Sequence, residues 1–374
     1  MSQSGPEHKA EHHDRSPTKY QQVKHWILAR IERGEFTPDK PLPAEHLLME
    51  IHSVSRGTIR QAMFELQHEG KIRRTPGRGT FILDQHAAPK TVASFHWSVL
   101  CRYRHDHGDF ALAGLEEAAV AAGARVTVEY VGDDPRHARE AVKRILDRKP
   151  AGAIVEPLPY EPDAHQVYQP LFEINLPVVQ FSQPLDHLDG PIVVLNHRLA
   201  ARQIAQHLVD LGHRRIAYIS SPRYWTVDQQ VEGLCEFLNE AGIEPNEQWF
   251  RFETEFTDRR GFDAMRQLLA LPKPPTAVVA LNAVVAANAY RAIRSAGLAI
   301  PKDISVVAVT GENQHLPEAL DPPLTVWCPW TCSQRLGRTA GELLGQLVQN
   351  HRPATPQVLI DPAPLPRGSV ALAP

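Results

Sequence analysis

Residues 42–82, LPAEHLLMEIHSVSRGTIRQAMFELQHEGKIRRTPGRGTFI, combine two closely spaced helical patterns with a glycine-rich turn. The spacing of apolar residues predicts a short helix from Leu47 to Ile51, a brief turn, and a second helix that Ser55 caps. The tetrapeptide PGRG at 76–79 separates two short strand-like runs, so it predicts a β-hairpin. With an amphipathic helix upstream, these elements form a unit of three helices and a hairpin over residues 19–83.

Positive charge is concentrated in this small unit. Residues 56–82 hold six basic and two acidic residues, a local net charge of +4, whereas the whole chain carries −3, which leaves −7 elsewhere. This asymmetry indicates a polyanionic partner for the unit alone. Arg56 and Arg60 lie four residues apart, on one face of the predicted helix, where arginine can read guanine in a DNA major groove. A solvated arginine face is the alternative.

A resemblance to a known family rests on three spaced segments: LPAE at 42–45, VSRGTIRQA at 54–62 and GRGTF at 77–81. Through them, residues 20–83 resemble the winged helix-turn-helix head of the GntR family of bacterial transcription regulators. The resemblance implies DNA contacts by Arg56, Thr58, Arg60 and Gly77. The position of the helix start and the hairpin tip adds Ser55, Arg78 and Gly79 to the expected DNA-binding residues, and His46 and Gly57 complete the set. His46 replaces a basic residue usual in the family, and Gly57 replaces Thr or Pro, so we expect an unusual sequence preference.

Composition limits the class of protein. The chain has 374 residues, 43% of them apolar and 22% charged, which is ordinary globular usage and predicts two or three domains. Because no run of about 18 apolar residues occurs, we expect no membrane span. The polar residues 1–18 are interpreted as a disordered tail without a secretory signal, which favours the cytoplasm. The four cysteines are too few and too scattered for a disulfide framework, and Cys328 and Cys332 lack a second pair for zinc.

Beyond a linker at 84–92, strand-like runs alternate with helical stretches. This alternation predicts an α/β fold with doubly wound parallel sheets, and its length favours two lobes. The predicted strands are 97–101, 125–130, 151–155, 177–181, 192–195, 215–219, 276–280 and 304–309. The predicted helices are 111–122, 138–148, 200–211, 229–241, 261–270 and 284–296. We assign 93–370 to this body, with lobe 1 at 93–194 and 328–350 and lobe 2 at 195–327 and 355–370.

The body also carries a resemblance. Residues 207–219 (HLVDLGHRRIAYI), 241–243, 300–307 (IPKDISVV) and 322–325 make it similar to the ligand-binding core of the LacI family and to periplasmic sugar-binding proteins. A GntR head on such a body is similar to the arabinose-repressor type of architecture. The resemblance implies a homodimer on operator DNA and a small-molecule, carbohydrate-related effector in the cleft between the lobes.

In this fold, ligands bind at the carboxyl ends of parallel strands. The expected effector-binding residues are Phe110, Ser182, Asn196, Trp225, Gln230, Asn282 and Thr310. Gln230 and Thr310 stand where the family has charged residues, so the ligand is expected to be less polar than a standard sugar, or the cleft has degenerated. Phe110 and Trp225 are candidates for ring stacking, with ordinary packing as the alternative. Asp109 and Glu156 follow strands and are either ligand contacts or surface acids.

The sequence therefore predicts a cytoplasmic DNA-binding regulator, a repressor rather than an activator. It shows no nucleophile elbow or phosphate loop, so we expect no catalytic residue, no enzyme, no metal and no cofactor. Three alternatives stay open at this point. They are a DNA binder with a ligand-blind cleft, a solute-binding module, which would require export, and an enzyme of unrecognised type.

Overall fold

The computed structural model divides into two compact units, residues 1–92 and 93–374. It describes residues 18–33, 35–36, 40–68, 71–75, 79–82, 95–102, 107–159, 163–185, 187–220, 222–253, 259, 261–311, 315–351 and 357–374. The predicted linker, nearly all of the predicted tail, and the wing residues Gly77 and Arg78 lie outside the described residues.

The first unit, called the head below, has the predicted three helices and hairpin. Its elements are α1 (Lys19–Glu32), α2 (Glu45–His52), α3 (Arg56–His68), β1 (Ile72–Thr75) and β2 (Gly79–Ile82). The hairpin pairs antiparallel with Ile72 opposite Ile82, which places both side chains in the core. Leu48 is fully buried between the helices, whereas Leu47 and Ile51 of the same helix are 44% and 54% exposed. Of these three apolar residues of α2, only Leu48 therefore contributes a fully buried side chain to the core.

The second unit, called the body below, contains two fully parallel sheets. Its strands are β3 (His96–Cys101), β4 (Arg125–Tyr130), β5 (Gly152–Val155), β6 (Val178–Phe181), β7 (Ile192–Leu195), β8 (Ile216–Ser220), β9 (Phe250–Phe252), β10 (Ala277–Asn282), β11 (Ser305–Thr310), β12 (Thr325–Cys328) and β13 (Gln357–Ile360). One sheet, in lobe 1, has the order β13-β7-β6-β5-β3-β4, and the other, in lobe 2, has the order β12-β11-β10-β8-β9. The predicted parallel α/β class is confirmed.

Helices cover the sheets, because the central strands are buried along their length. They are α4 (His107–Ala121), α5 (Pro135–Arg148), α6 (Ala164–Glu173), α7 (His197–Asp210), α8 (Trp225–Glu240), α9 (Phe262–Leu269), α10 (Ala283–Ser295), α11 (His315–Ala319) and α12 (Trp330–Val348). Among the described residues, no helix is long and apolar enough to cross a membrane.

The chain passes between the lobes three times, each time from the carboxyl end of a strand. It leaves β7 at Leu195 for α7, leaves β12 at Cys328 for α12, and leaves β13 at Ile360 before Leu365 pairs with Val326. The carboxyl ends of both sheets therefore flank the same set of crossovers. In parallel α/β proteins, the carboxyl ends of the strands are where ligands bind.

The position of β13 corrects one predicted boundary. Residues 355–370 were assigned to lobe 2, but β13 continues the lobe 1 sheet, with Gln357 to Ile360 paired to β7. Only the segment after the third crossover belongs to lobe 2, where the Ser369 hydroxyl donates to the Val306 carbonyl at 2.6 Å. The prediction was wrong because a four-residue edge strand is recognised by its partner rather than by its own composition.

Close helix packing ties α12 to lobe 1. A Cβ added to Gly337 of α12 would lie 1.6 Å from the Ala111 carbonyl oxygen of α4, and one added to Gly114 would lie 1.9 Å from the Gln334 carbonyl oxygen. The two backbones therefore touch, which only glycine permits. The helix α12 is therefore packed as part of lobe 1, and Pro329 is the residue between β12 and α12.

Candidate nucleic-acid interface and ligand cleft

The first turn of α3 is organised by its own hydroxyl groups. The Thr58 backbone N–H donates to Ser55 Oγ at 3.3 Å, and the two hydroxyl oxygens are 2.9 Å apart. Ser55 thus accepts from the third residue of the helix, the bond expected of an N-cap. The helix begins at Arg56, as predicted from the sequence, and this start fixes which side chains face outward.

Two arginines on the exposed face of α3 share one carboxylate. Glu45 Oε2, at the start of α2, lies 3.4 Å from Arg56 Nε and 3.5 Å from Arg60 Nε. The carboxylate is mostly covered, at 21% exposure, while the Arg56 and Arg60 side chains are 66% and 59% exposed. Glu45 therefore orients both guanidinium groups without burying them, and they remain available to a polyanion.

A groove of about 460 Å³ runs along this face of α3 towards the wing. Its lining includes Gly57, Arg60 and Gln61 of α3 and Thr80 of β2. Gly57 is exposed, and a Cβ there would meet only Ser55 Oγ at 3.8 Å, an ordinary contact. Packing within the head therefore does not require glycine at position 57. His46 is exposed on α2, and Gly79 begins β2.

The cleft side of lobe 1 carries a cluster of charged groups. Arg102, directly after β3, donates from Nε and Nη2 to Asp133 Oδ1 at 2.9 and 2.6 Å. Its backbone N–H donates to Glu156 Oε2 at 2.9 Å. The Arg102 side chain is only 16% exposed, and Glu156 only 7%. A cation and two carboxylates thus meet at the carboxyl ends of β3, β4 and β5.

The cluster keeps Arg102 charged. Burial alone would lower the pKa of Arg102, but the carboxylates of Glu156 and Asp133 outweigh burial and raise this pKa. Tyr224, which precedes α8 in lobe 2, adds to the same effect. The guanidinium of one lobe therefore lies within electrostatic reach of a phenol on the other.

Aromatic rings lie at the same edges. Phe110 in α4 and Trp330 at the start of α12 have ring centroids 5.3 Å apart and tilted by 39°. Trp225, the first residue of α8, lies edge-on to His197 with centroids 6.4 Å apart. Phe110, Trp225 and Trp330 are all half-buried, so each keeps part of its ring accessible.

Gln230 does not lie on an open surface. It is fully buried, its Oε1 accepts from the Tyr218 hydroxyl at 2.8 Å, and its Nε2 is 3.2 Å from His197 Nδ1. Burial raises the pKa of Tyr218, so this hydroxyl stays a donor. The structure places Gln230 in an internal hydrogen-bonded chain beneath the cleft, where both ends of its amide have protein partners.

Two other expected contacts are helix caps. Asn196 Oδ1 accepts from the Leu199 N–H at 3.1 Å, and Asn282 Oδ1 accepts from the Val285 N–H at 2.9 Å. Asn196 Nδ2 also donates to Asp361 Oδ1 at 2.9 Å, which joins the first crossover to the third. The side-chain oxygens of Asn196 and Asn282 are therefore engaged as N-caps of α7 and α10.

Ser182 and Thr310 are half-buried at the ends of β6 and β11. Ser182 has a left-handed backbone with φ of 74°, and the Thr310 hydroxyl donates to the Leu281 carbonyl at 3.3 Å. Asp109 is exposed in the first turn of α4, whereas Glu156 is buried and belongs to the charged cluster. Of the two acids weighed from the sequence, only Glu156 is covered by protein.

Sequence reasoning missed Arg102, Asp133 and Tyr224. Each lies within a few residues of the carboxyl end of a predicted strand, and that position is the signal that marks cleft residues in this fold. Asp133 and Arg102 come from neighbouring strands, so their pairing needed the sheet order. Within the described part of the chain, no group of three or more His, Cys, Asp or Glu side chains is arranged to hold a metal ion.

Comparison with known proteins identifies both units. A family model of bacterial regulatory proteins, the gntR family, matches residues 19–82, and a model of a periplasmic binding protein-like domain matches residues 205–370. An arabinose metabolism transcriptional repressor from Geobacillus stearothermophilus is 28% identical over 344 residues, which cover 88% of this chain and 91% of that protein. The repressor CytR of Escherichia coli K12 is 31% identical over 202 residues, 53% of this chain and 57% of CytR.

A solved structure agrees with the fold of the body. A dimeric Lac repressor with a C-terminal deletion superposes with a TM-score of 0.64 at 25% identity, covering 74% of this chain and 99% of that one. All of these relatives are transcription regulators rather than enzymes. This chain therefore joins a head of the gntR family of bacterial regulatory proteins to a periplasmic binding protein-like domain, and it is a DNA-binding transcription regulator.

Proposed function

We propose that this protein is a repressor that binds operator DNA in the cytoplasm as a homodimer and answers to a small carbohydrate-related molecule in the cleft of the body. The observation that carries the proposal is the pair of exposed arginines, Arg56 and Arg60, that Glu45 orients at the start of α3. A helix with two such arginines in its first turns has the geometry for base readout in the major groove. The curated relatives are named as repressors, which supports the direction of regulation.

The small size of the head favours a homodimer. One recognition helix reaches only a few base pairs, and two heads related by a two-fold axis double the contacts and require an inverted repeat. The solved Lac repressor that superposes on the body is described as dimeric, which supports the same assembly here.

The cleft offers two kinds of contact that carbohydrates use. The charged cluster of Arg102, Asp133 and Glu156 supplies donors and acceptors for hydroxyl groups, and the half-buried rings of Phe110 and Trp225 offer apolar faces. The relative from Geobacillus stearothermophilus is named for arabinose metabolism, which supports a related ligand class. A ligand bound between the lobes shifts the operator affinity only as far as its affinities for the two lobe arrangements differ.

Selection of DNA from a randomised duplex pool at low ionic strength tests DNA recognition. The full chain is expected to enrich an inverted repeat, since each half-site meets one head. Sedimentation of the complex should then give two chains per duplex. Enrichment of a single half-site bound by one chain would contradict the dimer, and failure to enrich any sequence would contradict the regulator itself.

A thermal-stability screen tests the effector class. A pentose, hexose, uronate or sugar phosphate that binds the native body raises its melting temperature, with about 2.7 kcal/mol of stabilisation at a concentration of 100 Kd. We expect Arg102→Lys to weaken this ligand about tenfold or more, because lysine keeps the charge beside Asp133 but loses the planar fork.

Arg125→Lys is the matched control, because Arg125 is exposed at the opposite, amino end of the same sheet. This variant should respond to the ligand as the parent does. If no compound in the screen stabilises the parent chain, the ligand-blind DNA binder is the better description, and equal affinity for Arg102→Lys and the parent would remove Arg102 from the site.

A further inference from the structure

Basic side chains gather in lobe 1 where helix α5 ends and strand β4 begins. This set, called the basic edge below, consists of Arg125, Lys143, Arg144, Arg148 and Lys149, all of them exposed. The segments 125–130 and 143–149 that hold these residues contain two acidic residues, Glu129 and Asp147. Their local net charge is therefore +3, whereas the body from residue 93 to 374 carries −6.

One covered carboxylate orients two arginines of the basic edge. Glu129 is only 10% exposed, its Oε2 accepts from Arg144 Nε at 2.7 Å, and its Oε1 accepts from Arg148 Nη1. The Arg144 and Arg148 side chains remain 50% and 35% exposed. In the head, Glu45 holds the two arginines of α3 in the same manner. The body thus has a second pair of positioned guanidinium groups on its surface.

The other three cations of the basic edge are not neutralised within the body. Among the residues that the structure describes, Arg125, Lys143 and Lys149 form no ion pair, although all three are exposed. An exposed cation without a carboxylate partner gains most from an anion outside the protein. The basic edge therefore suits a partner that carries several negative charges.

Backbone hydrogen bonds place the basic edge where the chain enters the body. The Arg125 N–H donates to the Phe95 carbonyl at 2.8 Å, and the Ala151 N–H, just before β5, donates to the His96 carbonyl at 2.8 Å. The chain from Ile82, the end of the wing strand β2, to Phe95 spans at most about 45 Å when fully extended. DNA bound by the head is therefore presented to the basic edge at a high effective concentration.

We propose that the basic edge binds the phosphate backbone of the DNA that flanks the operator. This inference rests on the proposed function, because the head must first bring the DNA. DNA fits better than an acidic protein, since the tether to the head supplies DNA and exposed cations bind phosphates of any sequence. Each phosphate contact releases counterions and steepens the dependence of affinity on salt by about 0.9 in logarithmic slope.

Operator duplexes with and without flanks test the proposal. One duplex ends at the selected inverted repeat, and the other continues on each side for about 15 base pairs, which at about 3.4 Å per step exceeds the reach of the linking chain. At low salt the full chain is expected to bind the long duplex about tenfold more tightly, with a steeper salt dependence. Flanks of unrelated base sequence should give the same gain, because phosphates carry no base information.

The combined variant Arg125→Gln, Lys143→Gln and Lys149→Gln removes three charges without breaking a described ion pair. It should bind the short duplex as the parent does and lose most of the gain that the flanks provide. Because all three side chains are exposed, its melting temperature should match that of the parent.

A second combined variant, Arg266→Gln, Lys273→Gln and Lys302→Gln, is the matched control. It removes the same charge from exposed residues of lobe 2, where Lys273 and Lys302 precede β10 and β11 at the amino edge of the other sheet. This variant should keep the gain from the flanks. Loss of the gain in the control would show that total charge, rather than the basic edge, attracts the DNA, and would overturn the proposal.

Three other results would overturn the proposal. They are equal affinity of the parent for the two duplexes, which would leave the basic edge to an acidic protein, a gain that survives in the basic-edge variant, and a gain that depends on the base sequence of the flanks. The short duplex keeps this test separate from the proposed function. Binding to it without a flank effect contradicts only the role of the basic edge, whereas no binding to either duplex contradicts the regulator.

Discussion

Arg56→Ala and Arg60→Ala are each expected to weaken operator binding by about 1–3 kcal/mol, or about 5- to 150-fold in Kd. Both guanidinium groups are exposed on one face of α3 and lie beside Glu45, so truncation removes the group that we propose contacts a base. Binding to a selected operator, measured at several salt concentrations, gives the affinity. An arginine that reads a base should relax specificity at one operator position, whereas one that meets phosphate should reduce the salt dependence.

Arg33→Ala is the matched control within the head. Arg33 caps the carboxyl end of α1, is 73% exposed, and lies 4.0 Å from Glu35, so its removal changes the net charge equally without touching α3. Its effect on operator binding should stay within the spread of repeated measurements. If Arg33→Ala weakens binding as much as the α3 variants do, general charge rather than the recognition helix explains the affinity.

Gly337→Ala is expected to destabilise the body by about 3 kcal/mol, at the upper end of the cost of overpacking a core. The added methyl group would lie 1.6 Å from the Ala111 carbonyl oxygen, so α12 must move away from α4. Urea unfolding of the body, followed by circular dichroism, measures the loss in the free energy of unfolding. The same movement would also loosen the contact between α12 and α4 in lobe 1.

Gly345→Ala, eight residues further along the same helix, is the control. A Cβ at this position would meet the Trp97 ring at 3.7 Å, an ordinary contact, so alanine fits and improves helix propensity by up to about 1 kcal/mol. This variant should be as stable as the parent or slightly more stable. Equal stability of Gly337→Ala and Gly345→Ala would show that α4 and α12 separate more easily than their contact suggests.

Sequence patterns predicted most elements of the body but not all of them. The strands at 125–130 and 192–195 have their predicted bounds. The run IVVL at 192–195 is the continuous apolar pattern of a buried parallel strand, whereas RVTVEY at 125–130 alternates apolar and polar residues, as an edge strand does. The strands β9, β12 and β13 were not predicted, and β9 and β13 lie at sheet edges, where partial burial leaves a weak apolar pattern. Helix α6 was not predicted either, and Pro170 lies inside it. Helix α12 starts one residue after a strand and carries several glycines, which conceal a helical pattern.

The sequence predicted the arrangement of residues in the head better than it predicted the contacts in the cleft. The start of α3, its cap and the shared face of Arg56 and Arg60 all lie within a few residues, so local spacing was sufficient. In the cleft, Gln230 was expected to meet ligand because of its alignment, yet it bonds to Tyr218 and His197. Those partners come from other elements, which no local pattern links to Gln230.

The sequence by itself determined the helix-turn-helix head, the parallel α/β class and the boundary between them, because these depend on periodicity and capping over short distances. Only the tertiary structure decided that Arg102 meets Glu156 and that the backbone of α12 packs directly on α4. Each of these contacts joins strands or helices whose order in the sheet, or whose close approach, depends on the whole fold. The contacts of the cleft therefore arise from long-range packing, whereas the exposed face of α3 is encoded locally.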